Sequence, residues 1–274
     1  PKASESVGEA VQIIKRLVEA GIAYWHDGNV YFDPLKYPGF GKLYGLDMTK
    51  WPRLRRRFHK DTYPGIQWNL GDFILWHGDE KKESVSWDTE IGRGRPAWNV
   101  QDPAMIRPYF HETLSIYCGG VDNLYRHHDY TLSILESLTL YPLAKFWLHC
   151  QHLSVKGQKM SKSKGNVYYT DTLLRQGYTA AEIRFFLIYG HYRTRLNYSP
   201  SAMIKATAIL RELKIVISEI KKKVGAGSHP DAKLAQQIKE IFSEGMDGDL
   251  NVKEALNGLH NILAGFELSR LKAN

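Results

Sequence analysis

The apolar residues of this chain follow two kinds of spacing in turn, one that predicts helices and one that predicts strands. A helix over 4–20 is indicated by apolar residues at helical spacing: Val7, Val11, Ile14 and Val18. Ser6 and Glu9 have the spacing of a capping box at the start of this helix. Two aromatic and apolar runs then flank an Asp-Gly dipeptide at 27–28, which predicts a β-hairpin.

The middle of the chain indicates a strand, a helix and a second strand, in that order. The apolar run at 114–117 ends at two glycines, a helix is predicted over 128–139, and 146–150 is a second apolar run. This order is typical of a βαβ unit with a parallel sheet. Residues 33–71 are rich in Pro, Gly and charge, so irregular structure is expected there.

The last third of the chain is helical by its spacing. Helices are predicted over 201–223, 232–244 and 252–271, and the Gly-, Ser- and Pro-containing stretch at 225–230 is the clearest linker. Tryptophans of the middle region are expected to belong to a hydrophobic core: Trp68, Trp76, Trp87 and Trp98.

Charge and cysteine content narrow the class of protein. The 274 residues hold 37 Lys and Arg against 29 Asp and Glu, a net charge of +8 that favours an anionic partner. The chain has no apolar run long enough to span a membrane, and its two cysteines suit a reducing, cytoplasmic location. The densest basic run is balanced between RNA contact and a solvated surface: Arg53, Arg55, Arg56, Arg57 and Lys60.

The sharpest chemical signal is the segment 159–163, Lys-Met-Ser-Lys-Ser. A flexible loop with two ammonium groups can fold over a polyphosphate and stabilise charge that develops on a departing pyrophosphate. The hydroxyls of Ser161 and Ser163 and nearby backbone N–H groups add donors. The competing interpretation is a solvated surface turn, and the residues around the loop decide against it.

This segment resembles the signature loop of class I aminoacyl-tRNA synthetases, and its surroundings resemble the cysteinyl-tRNA synthetase family. The similar segments follow one another in the family's order: 72–76, 87–88, 92–98, 119–122, 127–128, 145–149, 191–199 and 246–251. The resemblance implies an α/β fold, the second half of a Rossmann-like class I catalytic domain with an inserted region, followed by a helical bundle. It predicts a connective insertion over 1–112, the nucleotide-binding half with the lysine loop over 113–200, and a stem-contact bundle over 201–274.

The same resemblance implies roles for individual residues. Lys159 and Lys162 would contact the phosphates of ATP, with Lys162 on the pyrophosphate. Taken singly, the two glycines after the first strand fit an ordinary turn and Asp122 fits a helix N-cap. Together with the loop they favour a nucleotide site, whose implied members are Gly119, Gly120, Asp122, Met160, Ser161 and Ser163. ATP with Mg²⁺, an amino acid, and tRNA or another RNA are the expected cofactor and partners.

The sequence departs from the family at the amino-acid pocket. The family binds the cysteine thiolate to zinc through two Cys, one His and one Glu. One Cys position maps onto Asp102 and the Glu onto Thr131, while His127 is retained and a supporting His maps onto Tyr117 or Cys118. Zinc is therefore doubtful and no metal-ligand set is predicted. The expected members of a rebuilt amino-acid pocket are Trp98, Asp102, Tyr117, His127 and Thr131.

Three functional hypotheses follow. The His-x-Gly-His motif, which binds ATP in the first half of the family's fold, does not occur in this chain, so we expect it upstream in a longer protein or in a second chain. The leading hypothesis is an ATP-dependent ligase that activates an amino acid as an adenylate and transfers it to tRNA. The alternatives are a catalytically inactive, synthetase-derived RNA-binding or scaffold protein, and a ligase that serves an acceptor other than tRNA.

Overall fold

The protein divides into two units, Pro1–His149 and Cys150–Asn274. The structure is a computed structural model that describes residues 1–50, 71–79, 85–223 and 231–265. The basic run over 53–60, Trp68 and the linker at 225–230 lie outside the described residues. Within the described ranges, no helix is long and apolar enough to cross a membrane.

A five-stranded sheet forms the base of the first unit. The first elements in chain order are α1 Val7–Glu19, β1 Ala23–His26, β2 Asn29–Phe32, β3 Phe73–Gly78, β4 Trp87–Thr89, β5 Gly92–Pro96 and α2 Trp98–Ile106. The strands lie in the order β1-β2-β3-β5-β4, and each neighbouring pair is antiparallel. The predicted hairpin is confirmed, with Ala23 opposite Phe32. The predicted irregular stretch contains short 3-10 helices and turns over 33–50.

Helix α1 packs against α2 and the sheet through the apolar face that the sequence predicts. Ile13, Ile14 and Leu17 are fully buried there, and burial of each contributes roughly 1.5–3 kcal/mol to folding. The predicted capping box is wrong. Ser6 has φ −104° and ψ 15°, which is not the extended conformation of a side-chain N-cap. Its hydroxyl therefore donates backwards to the Lys2 carbonyl at 3.0 Å.

A two-stranded sheet follows in the first unit. Strand β6 is Leu114–Gly120, helix α3 is Tyr130–Glu136 and strand β7 is Ala144–Cys150, so the predicted strand–helix–strand order is confirmed. Strand β6 continues through both glycines instead of ending before them. A π-helical turn, Leu124–Asp129, occupies the residues where the helix was predicted to begin. Single π-turns are frequent at functional sites.

The tryptophans differ in burial. Trp76 is 1% exposed and Trp87 packs against the core of the first unit. Trp98 is 68% exposed, so the expectation of a core position is wrong for this residue. It is the first residue of α2, and this helix buries Val100 and Ala104 in its place.

The second unit combines a small sheet with long helices. Its elements are β8 Ser154–Val155, β9 Gln158–Lys159, α4 Thr170–Arg175, α5 Ala180–Ile188, β10 Asn197–Tyr198, α6 Pro200–Lys223, α7 Ala232–Asp247 and α8 Val252–Gly265. The strand order is β10-β8-β9, with β10 parallel and β9 antiparallel to β8. The three predicted helices are confirmed as α6, α7 and α8 within the described residues. The three-part domain division stays a prediction.

Candidate functional site

The lysine loop grows out of a tight hairpin in the second unit. Strands β8 and β9 are joined by Lys156 and Gly157, whose φ angles of +50° and +78° are those of a turn with positive φ at both central residues. Ser154 pairs with Lys159 across this hairpin. The Asn197 side chain on β10 accepts from the Gly157 N–H at 2.9 Å. The start of the loop is thus fixed by main-chain pairing.

Asn166 closes the lysine loop. Its Oδ1 accepts from the Ser161 N–H at 2.9 Å, and its Nδ2 donates to the Lys159 carbonyl at 3.2 Å. Between these contacts the chain makes a 3-10 turn, Lys162–Lys164, which ends at Gly165 with φ +64°. Met160 packs against the core of the second unit. Asn166 could have been identified from the sequence, because it directly follows the Lys-Gly pair after the loop.

The cationic ends of the loop face solvent. Lys159, Lys162 and Lys164 are all exposed, so three ammonium groups occur within six residues. Lys159 Nζ lies 3.2 Å from His152 Nε2, a neighbour that sequence reasoning missed. Ser161 and Ser163 hydroxyl oxygens lie 3.3 Å apart. This arrangement can present positive charge and hydroxyl donors to a polyphosphate.

The two glycines that end β6 are constrained by protein groups. A Cβ on Gly119 would come within 2.8 Å of His128 Nε2 and closer still to Cε1, so the imidazole packs directly on this backbone. A Cβ on Gly120 would lie 2.6 Å from Asp122 Oδ1. Asp122 is exposed within a short 3-10 helix, Val121–Asn123. Gly119 is therefore required by packing as well as by any ligand that approaches its backbone.

The predicted members of the amino-acid pocket come together in the first unit. His127 Nε2 lies 2.7 Å from Asp102 Oδ2, and the Trp98 indole stacks on the His127 ring with centroids 6.0 Å apart. Burial and the Asp102 charge together raise the pKa of Tyr117 to about 12, against a smaller lowering by the Thr131 hydroxyl. Residues from α2, β6 and the π-helical turn thus form one polar cluster with aromatic walls.

A histidine pair lies behind this cluster and was missed from the sequence. His128 Nδ1 and His149 Nε2 are 2.8 Å apart, so one nitrogen donates and the other accepts. Burial, with smaller contributions from the neighbouring His149 and His127, lowers the pKa of His128 to about 4. Burial also lowers the pKa of His149. Tyr117 packs edge-on against His128 and stacks on Trp147, so the pair is enclosed by aromatic rings.

A second missed contact involves the acidic turn between α7 and α8. Asp249 accepts from the Tyr192 hydroxyl at 2.6 Å and from Arg193 Nε at 2.5 Å. These donors lower the pKa of Asp249. Asp249 and Leu250 have φ of +62° and +58°, which is uncommon for residues other than glycine. The sequence shows both segments, but not that one carboxylate joins them.

Comparison with known proteins decides the family. The model of the tRNA synthetases class I (C) catalytic domain matches residues 1–208. The chain belongs to this family. It is 35% identical over 269 residues to the cysteine–tRNA ligase of Chlamydia pneumoniae, covering 96% of this chain and 56% of that protein. It is 37% identical over 269 residues to the cysteine–tRNA ligase of Leptospira interrogans, covering 93% of this chain and 55% of that protein.

This chain spans about half the length of the curated relatives that it matches. A solved structure described as an arginyl-tRNA synthetase from Campylobacter jejuni matches with a TM-score of 0.52 at 12% identity, over 99% of this chain and 55% of that one. This likeness supports the fold alone. The resemblance and the α/β fold class inferred from the sequence are confirmed.

The residues of this chain do not fit the zinc site that the family resemblance implies. Zinc–nitrogen and zinc–oxygen bonds of about 2.0–2.1 Å at a tetrahedral angle separate two ligand atoms by roughly 3.3 Å. Asp102 Oδ2 and His127 Nε2 are 2.7 Å apart, which is the distance of a direct hydrogen bond. Thr131 supplies a hydroxyl where the family has a carboxylate. Among the described residues, no group of three His, Cys, Asp or Glu side chains is arranged to hold a metal ion.

Proposed function

We propose that this chain is part of an ATP-dependent ligase that activates an amino acid as its adenylate and transfers the acyl group to tRNA. The observation that carries the proposal is the lysine loop, whose ends are fixed by the β8–β9 hairpin and by Asn166 while Lys159 and Lys162 stay exposed. A loop with fixed ends and exposed lysine side chains is suited to stabilise negative charge that develops at one position.

The proposed chemistry needs positioning more than covalent help. The amino-acid carboxylate attacks the α-phosphorus of ATP, a new oxygen–phosphorus bond forms, and the bond to pyrophosphate breaks. Negative charge grows on the pyrophosphate, and Lys159 and Lys162 stabilise it together with the Ser161 and Ser163 hydroxyls. Mg²⁺ accompanies ATP as part of the substrate. For Gly119, Gly120 and Asp122 we propose contact with the nucleoside part of ATP.

Pyrophosphate exchange by the full-length protein tests this proposal. Lys162→Ala is expected to lower the exchange rate by about 10²–10³-fold, the range observed when one donor to developing charge is removed. Lys205→Ala is the matched control, because Lys205 is an exposed lysine on α6 outside the loop. Equal rates for the two variants would contradict the assignment of the loop.

An inactive, synthetase-derived RNA-binding protein is the second candidate. The direct Asp102–His127 contact favours it, since the family's cysteine-selecting ligands are replaced. The net charge of +8 suits RNA in either case. Absence of exchange with every amino acid, combined with salt-dependent RNA binding, would select this candidate. Exchange without acylation of any tRNA would instead select a ligase with a different acceptor.

A further inference from the structure

The polar cluster formed by Trp98, Asp102, Tyr117, His127 and Thr131 contains a carboxylate, that of Asp102, at the position that the family resemblance assigns to a zinc-binding Cys. Asp102 uses Oδ2 to pair with His127, and its side chain is 28% exposed. Among the described residues, the Asp102 carboxylate has no other hydrogen-bond or salt-bridge partner. A carboxylate has about four lone-pair sites, so its capacity to accept hydrogen bonds is only partly used.

We propose that this cluster selects an amino acid whose side chain donates a hydrogen bond from a hydroxyl or an amine to Asp102, with no metal in the selection. The inference rests on the proposed function and names the substrate class of the same site. The proposed substrate carries a hydroxyl or an amine in place of the thiol that the family recognises. The Asp102 carboxylate alone distinguishes between these side chains.

The chemistry of the donors supports this class. A thiol is a weak hydrogen-bond donor, and a thiolate is repelled by the Asp102 carboxylate. A hydroxyl or an ammonium gains a charge-assisted hydrogen bond at the same position. His127 holds the carboxylate in place, and the Trp98 indole stacks on His127, so the acceptor is oriented before a substrate arrives. An oriented acceptor costs less ordering entropy on binding.

Aromatic side chains lie close to this carboxylate. Tyr117 stacks on Trp147 with ring centroids 4.6 Å apart, and its other neighbour, His128, is buried. The Thr131 hydroxyl is buried without a hydrogen bond of ordinary geometry. Aromatic rings therefore surround Tyr117, the residue whose pKa the nearby Asp102 charge raises.

Binding of non-reactive aminoacyl sulfamoyl-adenosines to the full-length protein tests the inference. The probes are the seryl, 2,3-diaminopropionyl, cysteinyl and alanyl compounds, measured by calorimetry. The seryl or the diaminopropionyl compound is expected to bind about 10-fold or more tightly than the alanyl and cysteinyl compounds. Asp102→Asn is expected to remove that preference, so that the seryl and diaminopropionyl compounds bind no more tightly than the alanyl compound. Asp88→Asn is the control, since Asp88 belongs to a solvent-exposed ion pair with Arg93.

Metal analysis of the wild-type protein gives a readout that needs no variant. Retention of well under one equivalent of zinc after equilibration with zinc and gel filtration is the expected result. One equivalent of zinc with the cysteinyl compound bound most tightly would overturn the inference and leave the proposed function standing. Equal affinity of the alanyl compound with both the seryl and the diaminopropionyl compounds would overturn it as well. Failure of every compound to bind, together with no pyrophosphate exchange, would overturn both.

Discussion

Gly119→Ala is the sharpest test of how the β6 turn is built. The added methyl would lie 2.8 Å from His128 Nε2 and closer to Cε1, and the position of this ring is itself fixed by His149 at 2.8 Å. The ring cannot rotate away without losing that hydrogen bond. Overpacking of this kind costs about 1–3 kcal/mol, offset by about 0.5–1 kcal/mol because alanine is less flexible than glycine when unfolded.

Tryptophan emission reports this change in one unit. All seven tryptophans of the protein lie within residues 1–149, so urea unfolding followed by their fluorescence monitors the first unit. Gly119→Ala is expected to lower the free energy of unfolding by roughly 0–2.5 kcal/mol. Gly8→Ala is a matched control of opposite sign. Gly8 lies in α1, and a Cβ there would meet nothing within 4 Å, so alanine should stabilise by about 0.5–1 kcal/mol.

A double-mutant cycle isolates the cause of the Gly119→Ala effect. In a His128→Ala background the ring is gone, and Gly119→Ala should cost nothing further or become stabilising. An equal cost of Gly119→Ala in both backgrounds would refute the account, because the methyl would then be clashing with something other than the imidazole.

Two further predictions concern pH and backbone strain. His128 has a pKa lowered to about 4, so the unfolded state takes up a proton first, and its contribution to stability is lost as pH falls from about 6.5 to 4. Asp129 has a pKa raised to about 6 by burial, so its contribution is lost as pH rises from about 4 to 6. Unfolding at several pH values should therefore show stability that increases with pH in Asp129→Asn and decreases with pH in His128→Ala, and identical profiles would contradict this. Leu250→Gly should raise the melting temperature seen by circular dichroism, since φ is +58° there and that conformation costs a leucine about 1–2 kcal/mol; a lower melting temperature would show that Leu250 packing outweighs the strain.

Sequence periodicity predicted the elements of this protein better than their ends. The hairpin over 23–32 and the three late helices follow from local patterns of apolar residues, which the tertiary structure keeps. The capping box at Ser6 failed because its φ and ψ depend on the 3-10 turn before it. The helix predicted over 128–139 starts later, because a π-helical turn has no distinct apolar period.

The sequence named residues that the structure brings close together, but it did not predict their contacts. Family resemblance named Asp102, His127 and Tyr117, yet only the structure brings α2, β6 and the π-helical turn to one place. The His128–His149 pair could not be read from the sequence, since a pairing 21 residues apart depends on how β6 and β7 align. Trp98 was expected in the core because tryptophan usually is, and its stacking on His127 is specific to this fold.

The Asp249 carboxylate connects two segments of the second unit through hydrogen bonds. The Tyr192 hydroxyl and Arg193 are held by Asp249 at the turn between α7 and α8, and the Tyr192 carbonyl accepts from the Gln151 N–H at 2.9 Å. Gln151 lies three residues before Ser154, where the hairpin of the lysine loop begins. The α7–α8 turn and the segment that leads into the lysine-loop hairpin are therefore joined through Tyr192, by one hydrogen bond on each side.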